Sequence, residues 1–217
     1  MSSAAAAEIE LFGNSRVTSP YVLSVYAALV EKGLPFQLSL LNLEQGEQHR
    51  PDFVAHSVTN RVPTLRHGTF WVSESLAILE YLEEAFPPPR YARLYPEGVQ
   101  ERARVRMVQG LLRSDFLPLR AERSTETIFY GDPIQPLTPQ AEAARVRLLR
   151  IAAAVLGQRS SIASSYSIAD IDLATMLQRL VANGDPVPES LALYAGSVWQ
   201  RPAIQQWLGL TKARRPG

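Results

Sequence analysis

Three consecutive prolines, Pro87-Pro88-Pro89, divide the sequence into two halves with different hydrophobic patterns. A proline run cannot continue a helix and forms a stiff boundary, because it fixes φ and removes backbone donors. Before this run, apolar residues alternate over short segments or follow a helical period, whereas beyond Glu97 every periodic segment is helical. The sequence therefore predicts an α/β domain over residues 8–86 and an all-α domain over residues 97–217.

The elements of the first half follow the order β-α-β and then β-β-α. We predict strands at 8–13, 36–42, 61–65 and 69–72, and helices at 20–32 and 74–86, with at most a short helix in the polar region 43–58. The first three elements suit a parallel crossover, and the last three suit a hairpin closed by a helix. This layout resembles a thioredoxin-like domain.

The second half predicts five helices, at 97–123, 139–156, 168–183, 188–198 and 202–211. Pro118 should kink or split the first of them, because it removes an amide donor and crowds the preceding turn. Thr138-Pro139 gives the second helix an N-cap and a proline at its first position.

The composition excludes several kinds of function. The sequence has no cysteine, which rules out disulfides, thiolate metal sites and a cysteine nucleophile. Its 22 Lys and Arg balance 21 Asp and Glu, so no overall field favours nucleic acid or a membrane surface. Residues 1–7 lack the basic segment of a signal peptide, and no apolar run approaches about 18 residues. We therefore expect a cytoplasmic protein without a metal site.

Ser19-Pro20-Tyr21 lies between the first strand and the first helix. Serine at the N-cap followed by proline is what a helix start prefers for structural reasons alone. A functional interpretation is compatible with this one, because a hydroxyl there lies beside free backbone amides and the positive end of the helix dipole. A thiolate bound at this point would be stabilised, and its pKa would fall from about 8.5 towards neutrality.

Two further segments also have a structural and a functional interpretation. Val62-Pro63 is either an ordinary trans proline at a strand start or a cis bond that turns the Val62 backbone towards a peptide ligand. At Glu74-Ser75 the next helix begins, and Ser75 (or Ser73) is either its N-cap or a hydroxyl for a ligand carboxylate. In the second case Glu74 would pair with an ammonium group.

In this order and spacing, the three segments resemble the glutathione S-transferase superfamily. The resemblance implies that Ser19 faces the glutathione sulfur. It also implies that Val62, before a cis Pro63, bonds the cysteinyl backbone. The γ-glutamyl end would be held by Glu74 and Ser75.

The second half resembles the same family, so the resemblance covers residues 8–211. Ser167-Ile168-Ala169-Asp170 is similar to the family's buried capping box, which is structural, and Arg201-Pro202 to its C-terminal segment. The chain looks most like a bacterial subgroup with Ser-Pro-Tyr at the active position, Arg-Val-Pro in the middle and Leu-Arg-Ser-Asp, here residues 112–115, in the first helix of the second domain.

The resemblance implies a glutathione transferase that activates glutathione as a thiolate, for conjugation to electrophiles or for reduction of organic hydroperoxides. Glutathione is then a co-substrate, with no other cofactor. By spacing, the residue for the glycyl carboxylate would be His49, and Arg50 or Arg61 could take its place. The second-substrate pocket would include Tyr21, Ser114 and Asp115. We also expect a homodimer whose interface includes the helix at 97–123, with the polar rim at Arg102, Arg104 and Arg106.

Two alternatives stay open. The first is a binding or regulatory protein on the same fold, akin to stringent starvation proteins, although such proteins typically lose the glutathione contacts that this chain keeps. The second is a glutathione-dependent isomerase or dehalogenase. The Ser-Ser-Cys run of the zeta class is absent, which weakens a maleylacetoacetate isomerase interpretation. Ser19 stands where omega- and beta-class relatives have cysteine, so thiol-disulfide exchange through an enzyme cysteine is excluded.

Overall fold

The structure is a computed structural model that describes residues 8–131 and 135–214. These residues form two compact units, one from residues 8–94 with 213–214 and the other from Tyr95–Lys212. The first unit contains a four-stranded sheet with helices, and the second contains only helices. The predicted fold class is therefore confirmed. None of the helices in the described ranges combines the length and apolar character that crossing a membrane requires.

The first unit follows the predicted order of elements. Its strands are β1 (Ile9–Asn14), β2 (Gln37–Leu41), β3 (Thr64–His67) and β4 (Phe70–Ser73), and its helices are α1 (Pro20–Glu31), α2 (Pro51–Val54) and α3 (Ser75–Ala85), with a 3₁₀ turn at Glu47–His49.

The strands form a sheet in the order β2-β1-β3-β4. β1 and β2 are parallel, connected by the crossover helix α1, whereas β3 is antiparallel to both β1 and β4. Asn14 is paired with Leu41, Phe12 with Thr64, and Thr64 with Ser73. The carboxyl ends of β1, β2 and β4 and the amino end of β3 therefore lie together, at what we term the Asn14 end of the sheet.

The two faces of β1 have different partners, because successive side chains of a strand point to opposite faces. On one face β1 approaches α1 closely: a Cβ at Gly13 would lie 3.0 Å from the Val22 side chain, so a larger residue would push the helix away. On the other face Phe12 stacks on Trp71, with 5.2 Å between ring centroids. The apolar residues of α1 and α3 complete the core, with Leu23 and Leu79 fully buried.

The second unit is arranged around one buried helix. Its helices are α4 (Val99–Ser114), α5 (Leu117–Glu122), α6 (Thr125–Tyr130), α7 (Pro139–Leu156), α8 (Ile168–Val181), α9 (Glu189–Trp199) and α10 (Pro202–Lys212). α8 is buried from Ile168 to Leu180 and packs against α4, α6 and α9. A helix that is buried on all sides in this way forms the core of its unit.

The helix predicted at 97–123 is split near Pro118, as predicted, into α4 and α5, but the interruption lies before the proline. The helical conformation is interrupted at Asp115 and Phe116, where Phe116 takes a left-handed φ of 63°. Pro118 lies in the first turn of α5. A proline costs little in a first turn, because the amide it lacks would have no intrahelical acceptor there. α6, a helix of six residues, was not predicted.

Lys32, directly after α1, is a buried cation whose side chain is fully enclosed. Its Nζ donates to Glu83 Oε2 at 2.8 Å, to the Phe86 carbonyl at 2.9 Å and to the Ala92 carbonyl at 2.8 Å. Glu83 Oε2 also accepts the Leu94 N–H at 3.0 Å. This arrangement satisfies all three ammonium donors and ties the end of α1 to the segment that follows α3.

We expect Lys32→Met to lower the free energy of unfolding by about 3–5 kcal/mol, because it leaves the Glu83 carboxylate buried beside unpaired carbonyls. The control is Lys212→Met, which removes an exposed lysine and should change stability by less than about 0.5 kcal/mol. Urea-induced unfolding of the two variants measures the difference. Equal effects would contradict a stabilising role for the Lys32 cluster.

Candidate active site

The predicted site residues of the first unit belong to loops at the Asn14 end of the sheet. Ser19 lies in the connection from β1 to α1, Val62-Pro63 immediately precedes β3, and Glu74-Ser75 immediately follows β4. Since the register brings these strand ends side by side, the three segments share one end of the sheet. The strand order thus gathers residues that are up to 56 positions apart in the sequence.

Ser19 is the N-cap of α1 and is half-buried. Its Oγ accepts the Val22 N–H at 3.3 Å, and its own N–H donates to Asn14 Oδ1 at 3.1 Å. Pro20 has no N–H, so it contributes no backbone donor beside Ser19. The Ser19 O–H donates to no other group in the described part of the chain and is available to a ligand.

The Val62-Pro63 bond is cis, as predicted, and Pro63 is buried. Asn60, two residues earlier, takes the left-handed φ of 52° that asparagine tolerates better than most residues. The Val62 N–H and C=O make no hydrogen bond to any residue within 8–131 or 135–214. A half-buried backbone segment with both groups unpaired is suited to binding another extended peptide.

Three hydroxyls, two of them buried and one half-buried, fix the loops around Val62. Thr64 Oγ1 lies 3.0 Å from Ser57 Oγ and 2.9 Å from Ser73 Oγ, and it donates to the Arg61 carbonyl at 2.9 Å. Ser57 and Ser73 are themselves 3.2 Å apart. The cluster joins the segment before the cis proline to the end of β4 without using any charge. Sequence reasoning missed it, because its members are scattered over 17 positions and each is a common loop residue.

Glu74 precedes α3 with a left-handed φ of 74°. Such a backbone costs about 1–3 kcal/mol in a residue other than glycine and is typical of ligand-binding positions. The Glu74 side chain is exposed, and no ion pair to it occurs among the described residues. Ser75, the first residue of α3, is buried. The strain at Glu74 is a feature that the sequence did not reveal.

His49, predicted for the glycyl carboxylate, ends the 3₁₀ turn after β2 and is exposed. The neighbouring Arg50 pairs with Asp52 at 3.0 Å, which leaves His49 as the uncommitted basic side chain of this turn. Because β2 ends at the Asn14 end of the sheet, the turn extends from the same end. Tyr21, in the first turn of α1, is half-buried.

Ser114 and Asp115 of the second unit mark the end of α4. Ser114 is exposed, whereas Asp115 accepts the Phe116 N–H at 2.7 Å and pairs with Arg147. The Phe116 amide and then Arg147 hold the pKa of Asp115 below its ordinary value. Both carboxylate oxygens therefore have a structural partner. Contact of Ser114 and Asp115 with a second substrate stays a prediction.

The predicted capping box forms at the start of α8. Asp170 Oδ2 accepts the Ser167 N–H at 2.8 Å, while Oδ1 accepts the Ile162 N–H at 2.9 Å and the Tyr194 hydroxyl at 2.8 Å. Burial raises the pKa of Asp170, and burial with the nearby carboxylate raises that of Tyr194. This network closes the helical core, and its role is structural. No cluster of three His, Asp or Glu side chains suited to a metal occurs in residues 8–131 and 135–214.

Comparison with known families identifies both halves of the chain. Residues 18–85 match the glutathione S-transferase N-terminal domain, and residues 98–213 match the glutathione S-transferase C-terminal domain. The chain belongs to the glutathione S-transferase family. The family predicted from the sequence motifs is thus confirmed, and the arrangement of thioredoxin-like and helical domains is the one found in its solved structures.

Individual relatives show how close the similarity is. The chain is 28% identical to mouse glutathione S-transferase theta-3 over 85% of its own length and 74% of that protein. It is 39% identical to rat maleylacetoacetate isomerase over 98 residues, 44% of each chain. The crystal structure of a Burkholderia glutathione transferase homologue with bound glutathione shares 35% identity and a TM-score of 0.78, covering 96% of this chain and all of that one.

We expect Thr64→Val to lower the free energy of unfolding by about 1–3 kcal/mol, because it leaves the Arg61 carbonyl and the hydroxyls of Ser57 and Ser73 without their shared partner. Thr211→Val is the matched control, since the Thr211 hydroxyl is equally buried and donates within its own helix, to the Trp207 carbonyl one turn earlier. Thermal and urea unfolding report the comparison. A loss no larger than that of Thr211→Val would show that the hydroxyl cluster does not stabilise these loops.

Proposed function

We propose that this protein is a glutathione transferase that binds glutathione at the Asn14 end of the sheet and activates it as a thiolate. One observation carries the proposal. The Ser19 hydroxyl proton and the Val62 backbone groups, at the same end of the sheet, have no hydrogen-bond partner among the described residues. The Ser19 hydroxyl can donate a hydrogen bond to the glutathione sulfur. The Val62 N–H and C=O can bind the backbone of the cysteinyl residue that carries this sulfur. The Burkholderia homologue with bound glutathione supports this assignment.

The remaining residues of the site match the two ends of the tripeptide. The exposed Glu74 carboxylate pairs with the γ-glutamyl ammonium group, and the Ser75 hydroxyl at the start of α3 binds the adjacent carboxylate. His49 binds the glycyl carboxylate. Ser19 donates a hydrogen bond to the sulfur, and its Oγ meanwhile keeps the Val22 N–H. It is therefore a donor and not a nucleophile.

The reaction begins when the bound thiol releases its proton to water. In conjugation the thiolate sulfur attacks an electrophilic carbon, and a thioether forms as the leaving group departs with the bonding electrons. In hydroperoxide reduction the sulfur attacks the peroxide oxygen, which yields a sulfenic acid and an alcohol. A second glutathione then forms the disulfide and releases water. Tyr21, Ser114 and Asp115 are our candidates for contact with the second substrate.

The rival functions make different predictions. A regulatory protein would pass through immobilised glutathione without retention and would turn over no chromogenic electrophile. An isomerase would convert maleylacetoacetate with glutathione present, and the partial match to rat maleylacetoacetate isomerase makes that substrate part of the panel. We favour transferase activity, because theta-class transferases match most of the chain and the zeta-class cysteine run is absent. Membership of the bacterial Ser-Pro-Tyr subgroup and a cytoplasmic location belong to the same proposal.

We expect Ser19→Ala to slow turnover near neutral pH by about tenfold to a hundredfold. A hydrogen bond to a charged group contributes about 1.5–3 kcal/mol, and its loss returns the pKa of the bound thiol towards that of a free thiol. Less thiolate is then present at neutral pH, whereas at high pH the thiol ionises unaided and the loss shrinks. The profile of kcat/KM against pH measures both effects.

The control for this experiment is Glu74→Ala, which should weaken glutathione binding and leave the pH profile in place, since Glu74 contacts the ammonium end. Ser19→Ala also removes an N-cap worth about 1 kcal/mol, so circular dichroism must show that the variant is folded. A folded Ser19→Ala enzyme with an unchanged pH profile would reduce Ser19 to a helix cap.

We further propose that the protein is a homodimer. The family resemblance assigns the helix at 97–123 to the interface, and two large apolar side chains are exposed to solvent on α4. They are Val99 (80% exposed) and Met107 (59%). Isolated exposed apolar residues are ordinary, but two of them on the helix expected at the interface support a second copy as the partner.

We expect sedimentation at micromolar concentration to give twice the 24.1 kDa of one chain. Met107→Asp should shift the equilibrium towards the monomer, because burying an unpaired carboxylate in an apolar contact is costly. Leu193→Asp is the matched control, at an apolar residue of α9 that is 67% exposed and outside the proposed interface. A wild-type monomer, or equal effects of the two variants, would contradict this interface.

A further inference from the structure

Asn14, the last residue of β1, holds the loop that carries Ser19. Its side-chain Oδ1 accepts the Ser19 N–H at 3.1 Å, and its Nδ2 donates to Thr18 Oγ1 at 3.1 Å. Its backbone carbonyl accepts the Val17 N–H at 2.9 Å. A backbone N–H can only donate, so the atom facing Ser19 must be the amide oxygen, and this fixes the orientation of the side chain. One residue thus bonds three of the next five residues.

The loop that Asn14 holds is strained. Val17 is fully buried with a left-handed φ of 54°, a conformation that is a marked outlier for a β-branched residue. Such strain persists only where the surrounding contacts determine the backbone more strongly than its own preference does. The contacts here include the three bonds to Asn14 and the Ser15 N–H donated to the Leu41 carbonyl at 2.8 Å. These bonds contribute to the shape of the loop.

We propose that Asn14 is a positioning residue for the thiolate, acting through Ser19; this inference rests on the proposed function. The Asn14 carboxamide fixes the Ser19 backbone at the point where the chain enters α1. It thereby sets the direction of the hydroxyl that donates to the sulfur. Because hydrogen-bond strength falls steeply with misalignment, a small rotation of Ser19 weakens this bond without removing either partner.

Thr18, the residue next to Ser19, does not substitute for Asn14. The Thr18 hydroxyl is buried and already accepts from Asn14 Nδ2. An alanine at position 14 removes the side-chain partner of the Ser19 N–H and of Thr18 Oγ1 and leaves the Asn14 carbonyl bond to Val17 in place. A merely structural Asn14 would lower stability and nothing else. A positioning Asn14 must also change the ionisation of the bound thiol.

The test is a double-mutant cycle on the full-length protein with glutathione as the probe. Wild type, Asn14→Ala, Ser19→Ala and the double variant are saturated with glutathione, and the thiol pKa is read from the ultraviolet absorbance of the thiolate. We expect Asn14→Ala to raise this pKa by about half a unit to one unit and to slow turnover near neutral pH about three- to tenfold. In the Ser19→Ala background the same change should have less than about a twofold effect, because residues that act as one unit are not additive.

The matched control is Asn42→Ala. Asn42 Oδ1 also accepts two backbone amides of its own loop, from Glu44 at 3.1 Å and Gln45 at 3.2 Å, so the chemical change is the same. It should leave the thiol pKa unchanged. Circular dichroism and thermal unfolding establish that each variant is folded, and Thr18→Val, which removes only the Nδ2 partner, provides a second and milder perturbation in the same direction.

The outcomes separate the two proposals. If the wild type lowers the thiol pKa and Asn14→Ala does not change it, or if its effect adds fully to that of Ser19→Ala, the positioning role of Asn14 is overturned and the proposed function stands. If the wild type binds no glutathione, or binds it with the pKa of a free thiol, both are overturned. A raised pKa in Asn14→Ala that disappears in the Ser19→Ala background supports the inference.

Discussion

The pairing of β3 with β1 is the constraint on which the rest of the first unit depends. β2 lies parallel to β1 on one side, and β3 lies antiparallel to it on the other. With this mixed order, three carboxyl ends and one amino end meet at the Asn14 end of the sheet. A fully parallel sheet would send the start of β3 to the opposite end. Val62 would then lie about a strand length from Ser19, and neither could contribute to a common site.

Neutral side chains hold the entry to α1 and the segment around Val62, while ion pairs such as Arg16–Glu44 also occur in the loops at this end. The amide of Asn14 fixes the entry to α1, and the hydroxyls of Ser57, Thr64 and Ser73 fix the segment around Val62. Neutral hydrogen bonds are directional and bring no charge of their own to the site. These neutral groups therefore add no charge beside a thiolate bound at Ser19. By contrast, the buried ion pair of Lys32 and Glu83 lies beyond the other end of α1.

The sequence predicted those features of the molecule that depend on local pattern. The order of elements in the first unit, the helix starts at Pro20 and Pro139, and the cis bond before Pro63 all have local signals or follow from the family motifs. β3 begins at Thr64, three residues later than predicted, because the segment before Pro63 remains outside the ladder.

Features that depend on tertiary contacts could not be read from the sequence. Lys32 has the pattern of an ordinary solvated lysine after a helix, and only the packing of residues 83–94 against α1 shows that it is buried. The interruption between α4 and α5 falls at Phe116, which is buried in the helical unit. The sequence predicted it at Pro118, two residues later. The sequence around Asn14 indicates only that a strand ends there. Nothing local shows that its side chain accepts the Ser19 N–H.

The central claim is that glutathione lies at the Asn14 end of the sheet with its sulfur on Ser19 and its cysteinyl backbone on Val62. A crystal structure of the protein soaked with glutathione measures this most directly. The account predicts the sulfur within hydrogen-bonding distance of Ser19 Oγ, and the cysteinyl N–H and C=O bonded to the C=O and N–H of Val62. Glutathione bound elsewhere, or bound here with its sulfur directed away from Ser19, would contradict it.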